Sequence, residues 1–247
     1  MNKTKIEWCD STWNPVTGCL HGCEYCYASK IANRFGCGMN VPHVLCEPIK
    51  SNGRVQSYPL GFTPTFHRYR LDEPQKWKKP RTIFVCSMAD LFGDWVPDEW
   101  IEEVFKACEK APQHRYLFLT KNPRRYVELA KKGKLPERAN IWYGSTATSS
   151  DKQLYLSSNR NTFLNIEPIL KDFGTNIKFY KLFDWVIIGA ETGNRRYKVI
   201  PEKEWIGNIC KAANESRIPV FMKDSLIPIV GEENMRREFP WESGYIV

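Results

Sequence analysis

A chain of 247 residues with 42% hydrophobic and 26% charged residues and a net charge of +8 has the composition of a soluble globular protein and is long enough to bury a substantial core. No apolar run approaches the length that spans a bilayer, and the opening Met1-Asn-Lys-Thr-Lys-Ile-Glu-Trp8 lacks the apolar segment of a secretory signal. Nine cysteines, an odd number without framework spacing, read as thiols of a reducing compartment, so a cytoplasmic location and no membrane partner are expected.

The chain alternates short β-rich runs with helical patterns. A first strand is expected near Thr12 to Gly18, and after a cysteine-bearing loop a helix from Glu24 to Arg34 ends at Gly36 and Gly38. Arg81–Cys86 reads as a buried strand, Pro97–Lys110 as an amphipathic helix with proline near its start, and Arg115–Thr120 as the next strand. A helix from about Pro123 to Gly133 follows. Strands over Asn140–Ser145, Thr162–Ile166 and Asp184–Gly189 come next, then a helix over Pro201–Ser216 and a last strand over Ile218–Met222.

Strands joined by helical crossovers imply a parallel sheet with right-handed connections. The expectation is an α/β fold: an incomplete TIM-type barrel of about six to seven parallel strands with outer helices, one unit short of closure. A single domain over residues 1–247 is expected, with an irregular insertion at about 37–80 whose Pro, Gly and aromatic content suits a lid. Within that region Arg68, Arg70, Lys76, Lys78, Lys79 and Arg81 interleave with Phe66, Tyr69 and Trp77. This pattern suits either a phosphate-bearing partner, with rings stacking on bases, or a solvated basic surface whose rings turn inward.

The chemistry-bearing motif is Cys19, Cys23 and Cys26, spaced C-x3-C-x2-C. Three thiolates from one loop can hold three corners of a [4Fe-4S] cluster and leave the fourth iron open to a small molecule. The alternative is half of a zinc site completed by His21, Cys37, Cys46 or a distant residue. Structural zinc sites usually pair their cysteines as two knuckles, and the chain has no second C-x2-C. Reacting groups of α/β folds lie at the carboxyl ends of the strands, and this loop falls at the end of the first one.

With Trp13-Asn-Pro-Val-Thr-Gly-Cys19, Ser87-Met-Ala-Asp-Leu-Phe92, Leu119-Thr-Lys-Asn-Pro123, Glu167-Pro168 and Asp184-Trp-Val-Ile-Ile-Gly-Ala-Glu-Thr-Gly193, the chain resembles the radical SAM superfamily, and within it the phage Gp37/Gp68-like family. The resemblance covers nearly the whole chain. Members of that family often carry a longer gap between the first two cysteines, whereas this chain keeps the three-residue spacing of established radical SAM enzymes.

The resemblance implies an open-site [4Fe-4S] cluster that binds S-adenosylmethionine and cleaves it reductively. The resulting 5′-deoxyadenosyl radical takes a hydrogen atom from a substrate that the resemblance does not identify; the net charge of +8 suggests a nucleotide, a nucleic acid or another phosphorylated compound. It also implies an external electron donor of the flavodoxin or ferredoxin type. The alternative class is a non-catalytic, zinc-bearing nucleic-acid-binding protein.

On that resemblance Tyr25 packs on the adenine, and the backbone of Tyr27 meets its edge. Ser87 and Asp90 stand where such enzymes hold the methionine ammonium, although Asp90 equally suits a helix cap. Ser145 and Thr146 are candidates for the ribose hydroxyls or for a turn. Glu191, in a glycine-flanked segment, lies beside the nucleoside or substrate. Lys121, Glu167 and Lys223 outline a polar mouth at the remaining strand ends, as substrate contacts or as structural ion pairs. Cys86 is a candidate hydrogen-atom donor and equally a core residue.

Overall fold

The β-rich runs pair as parallel strands. A computed structural model describes residues 2–242, which divide into two compact units between Ile141 and Trp142. In the first unit, β1 (Ser11–Trp13), β2 (Thr82–Val85) and β3 (Arg115–Thr120) lie side by side in parallel, and Asn2–Lys3 adds an antiparallel edge to β1. In the second, β4 (Ile141–Ala147), β5 (Asn161–Ile166), β6 (Trp185–Ile188) and β7 (Val220–Met222) run parallel in that order. The described residues thus form an α/β fold with three parallel strands in one unit and four in the other, seven in all. Eight are needed to close a barrel.

The helices are α1 (Tyr27–Phe35), α2 (Asp98–Glu109) and α3 (Arg124–Lys131) in the first unit. The second unit has α4 (Ile177–Tyr180), α5 (Lys203–Ser216) and α6 (Ile227–Val230). Helix α2 buries Ile101, Val104, Phe105 and Cys108, the apolar stripe that its 3.6-residue period sets up. Each such side chain contributes about 1.5–3 kcal/mol on burial. Helix α5 does the same with Ile206, Ile209, Ala212 and Ala213, which pack in one cluster with Leu164, Ile166, Val186, Ile188, Val220 and Met222 of the second unit's strands.

Two boundaries differ from the sequence reading for local reasons. The first strand stops at Trp13, and Val16–Thr17 instead pairs antiparallel with Thr65–His67, which also pairs with Val44–Leu45. Pro15, between the two segments, lacks the N–H that would continue the ladder. Helix α1 starts at Tyr27 rather than Glu24, because the Sγ of Cys26 caps it, accepting from the Ser29 amide at 3.3 Å. The 37–80 insertion is thereby partly ordered into strands and short 3-10 turns.

Its basic cluster is also resolved. Phe66 is fully buried against Trp100, so it is not a ring on which a base could stack. Arg68 forks onto Glu103 at 2.7 and 2.8 Å. Arg70 donates to the Asn14 carbonyl at 3.0 Å.

Candidate functional site

The carboxyl ends of β1 and β2 hold the cysteine loop. Gly18 bridges Ala89 in parallel, its amide donates to the Met88 carbonyl at 2.9 Å, and the Cys19 amide donates to the Phe62 carbonyl at 3.1 Å. Gly18 has φ of +89°, and a Cβ there would stand 2.4 Å from the Thr63 carbonyl oxygen, so only glycine lets the loop pass. Downstream, the Cys26 amide closes a turn onto the Cys23 carbonyl at 3.1 Å. All three cysteines are half-buried and free of disulfides.

Burial and neighbouring charge both act on the Cys19 thiol. Burial pushes the Cys19 thiol up to about 12, and the neighbouring Asp90, Cys26 and Cys23 push it the same way. A cationic centre that binds the Cys19 sulfur in deprotonated form would offset both effects. Cys26 adds a sulfur at the amino end of α1, where its Sγ accepts from the Ser29 amide at 3.3 Å. A donor set of three soft sulfurs on one loop suits three iron corners of a cluster. Among the described residues no group of three or more His, Cys, Asp or Glu side chains is placed so that it could hold a metal ion.

Asp90 braces this loop. It is 5% exposed and accepts from the Phe92 amide at 3.0 Å, the Thr120 hydroxyl at 2.7 Å and the Lys121 amide at 2.9 Å, while His21 Nε2 lies 2.7 Å from its second oxygen. These partners occupy both carboxylate oxygens, so its role in this structure is to join the ends of β2 and β3 to the cysteine loop rather than to offer a free ammonium site. The segment carrying Asp90 is itself pinned by Phe92, which packs among Phe105, Phe118 and Tyr126. Ser87 is similarly engaged, its hydroxyl 3.2 Å from Asn14 Oδ1, which also accepts from the Met88 amide at 2.9 Å.

Tyr25 and Lys121 come together, with the ammonium 5.4 Å from the ring centroid, a cation–π distance. Tyr27 donates its hydroxyl to the Ser87 carbonyl at 2.8 Å and tethers the start of α1 to the end of β2. Cys86 is 2% exposed, and burial pushes its thiol up to about 12. The thiol stays as S–H, the form a hydrogen donor needs, but it sits in the packing near Cys108 of α2 rather than on an open face.

In the second unit the pleat separates two residues that the sequence reading pairs. Thr146 is in register with Asn165, and Asn165 with Ile187 and Phe221, so these four share one face. Ser145 aligns with Leu164, Val186 and Val220 on the opposite, helix-covered face, where it is fully buried and accepts from the Tyr155 amide at 2.9 Å. Successive strand residues point to opposite faces, so Ser145 is a structural acceptor and only Thr146 remains a ribose candidate.

Glu167 and Lys223, at the ends of β5 and β7, form an ion pair with 24% and 17% of their side chains exposed. They close over Gly189 after β6, where an added Cβ would meet Lys223 Cδ at 3.1 Å, Ser225 Oγ at 3.3 Å and Glu167 Cδ at 3.4 Å. Ser225 Oγ also accepts from the Ala190 amide at 3.0 Å. Glu191 is taken up by Arg195 in a two-pronged bond of 2.7 and 2.8 Å, with 1% of its side chain exposed.

His21, Asn14, Asn165 and Ser225 are the polar contributors that the sequence reading does not place in these roles. Asn165 is 3% exposed, and its Oδ1 is buried without a hydrogen-bond partner among the described residues. Alternation along β5 from Glu167 could have found Asn165. No sequence signal points to Asn14 or Ser225.

The fold and site define an α/β protein with a three-cysteine loop braced at the carboxyl ends of its first parallel strands. The chain belongs to the family described as protein of unknown function (DUF5131), whose model matches residues 3–227. No curated protein and no solved structure matches it.

Proposed function

We propose that the protein is a radical SAM enzyme of the partial-barrel, Gp37/Gp68-like kind, in which Cys19, Cys23 and Cys26 hold an open-site [4Fe-4S] cluster. When bound, that cluster supplies one-electron reductive cleavage of S-adenosylmethionine, and the 5′-deoxyadenosyl radical so formed removes a hydrogen atom from a substrate. The reading is supported above all by three cysteines on one loop at the carboxyl end of β1, braced through His21 by a fully hydrogen-bonded Asp90.

The chain's own residues divide the work. Asp90 and His21 tie the loop to the strand ends. Tyr25 offers a ring to an adenine, and Lys121, stacked on it, sets a positive charge beside the loop. In the second unit Thr146 supplies a hydroxyl, and Lys223, partly neutralised by Glu167, offers a cation suited to phosphate or carboxylate. A nucleotide or nucleic acid is the substrate class that these groups and the net charge of +8 favour. The electron comes from an external flavodoxin- or ferredoxin-type donor.

Turnover under anaerobic conditions with dithionite and S-adenosylmethionine tests this reading. Formation of 5′-deoxyadenosine by the wild type, lost in Cys23→Ala, is the expected result. A colourless protein with stoichiometric zinc and no product would identify the non-catalytic alternative.

A further inference from the structure

At the amino ends of β1, β2 and β3, opposite the strand ends that carry the cysteine loop, the first unit opens a cleft of about 370 Å³. Arg81 and Arg115 line it together with Asp10, Gln113 and Asn140. Its size falls at the lower end of small-ligand sites. Nothing in the cysteine-loop chemistry uses it.

Each arginine donates to a hydroxyl group. Arg81 Nη1 donates to the Ser11 hydroxyl at 3.1 Å, and its guanidinium lies 3.3 Å from the centroid of the Trp77 ring. Arg81 Nε is buried and has no acceptor among the described residues. Arg115 Nη1 donates to the Thr82 hydroxyl at 3.3 Å, and burial holds its guanidinium below the ordinary arginine range, with Asp10 opposing that effect. Asp10, the one carboxylate lining the cleft, accepts the Thr82 amide at 2.7 Å through Oδ2. Two arginines and one carboxylate, which also accepts a backbone amide, thus line the cleft.

The approach to the cleft is basic as well. Lys78 and Lys79 immediately precede Pro80 and Arg81, are exposed, and make no ion pair among the described residues. The basic stretch of the 37–80 region thus separates by role. Arg68 and Arg70 are spent on Glu103 and Asn14, whereas its carboxyl-terminal half leads into an anion-deficient cleft.

We propose that this cleft binds a phosphate group, gripped by Arg81 and Arg115, with Lys78 and Lys79 drawing in the ligand that carries it. Arginine forks match the planar oxygen pairs of phosphate, and flanking lysines supply the salt-sensitive attraction of a polyanion. The proposal is independent of whether the cysteine loop carries iron.

The test is titration of the full chain, followed by amide NMR, with inorganic phosphate and then with a short single-stranded oligonucleotide with and without a 5′-phosphate. The expected result is a saturable shift of the Thr82, Arg115 and Asn140 amides with a millimolar constant for inorganic phosphate. Arg81→Gln and Arg115→Gln should each weaken binding at least about tenfold, and Arg81→Lys should recover only part of it. An oligonucleotide that gains affinity from its 5′-phosphate identifies a strand end as the source. Equal affinity for phosphate alone identifies a small phosphate ester.

Should either arginine variant fold poorly, the exposed pair Lys78→Gln/Lys79→Gln gives an independent reading. It should lower the salt slope of oligonucleotide binding by roughly two. Absence of saturable shifts in the wild type, or unchanged binding in both arginine variants and an unchanged slope in the lysine pair, overturns the proposal.

Discussion

His21 Nε2 lies 2.7 Å from Asp90 Oδ2, joining the middle of the cysteine loop to the segment that follows β2. The imidazole also meets Trp95 edge-on at 4.8 Å between ring centroids, so its position is fixed from two sides. Through the other bonds of Asp90, the loop is tied to Thr120 and Lys121 at the end of β3.

Removing the carboxylate and removing the imidazole should therefore have different consequences. Asp90→Ala leaves the Phe92 and Lys121 amides and the Thr120 hydroxyl without their acceptor, and the expected loss is about 3 kcal/mol or more. His21→Ala unpairs only the outer side of the brace, so it should cost less than about 1.5 kcal/mol. It should still lower the iron retained after anaerobic reconstitution. Denaturant melts together with iron analysis check both.

Ser145 and Thr146 should separate stability from ligand binding. Ser145→Ala removes the buried acceptor of the Tyr155 amide, for an expected cost of about 1–3 kcal/mol, and leaves S-adenosylmethionine affinity unchanged. Thr146→Ala, on the opposite face of β4, should weaken that affinity with little effect on the melting midpoint. Equal effects of the two substitutions on affinity would contradict the assignment.

His67 makes the first unit sensitive to acid. Its ring is fully buried between the Thr17 hydroxyl at 2.8 Å and the Tyr69 hydroxyl at 3.4 Å. Burial, aided by the charge of Arg70, lowers its pKa from 6.5 to about 3. Between those values the unfolded chain binds a proton that the folded chain refuses, so stability is full above pH 6.5 and declines as pH falls toward 3. The slope in that window approaches about 1.4 kcal/mol per pH unit. Chemical unfolding at a series of pH values should show this decline in the wild type and a flatter profile in His67→Gln.

Much of the architecture was legible in the sequence, because strands such as Arg115–Thr120 and helices such as α2 carry a clean period bounded by proline or glycine. The cysteine loop and its place after the first strand were equally readable from spacing. What could not be read depends on long-range pairing. The Asn14–Ser87 contact spans 73 residues, and the Glu167–Lys223 pair spans 56. The engagement of Asp90 by Thr120 and Lys121 exists only once β2 and β3 lie side by side. The fate of Ser145 followed from register: alternation allows one of two adjacent strand residues to reach a given face, and composition does not say which.

The most direct measurement is iron and acid-labile sulfide analysis of the anaerobically prepared protein, with electron paramagnetic resonance of the reduced sample before and after S-adenosylmethionine is added. About four irons and four sulfides per chain, with a signal that changes on addition of the cosubstrate, is the outcome predicted for an open-site cluster on Cys19, Cys23 and Cys26. A protein that holds zinc in place of iron, or a cluster whose signal does not respond to S-adenosylmethionine, would contradict the account.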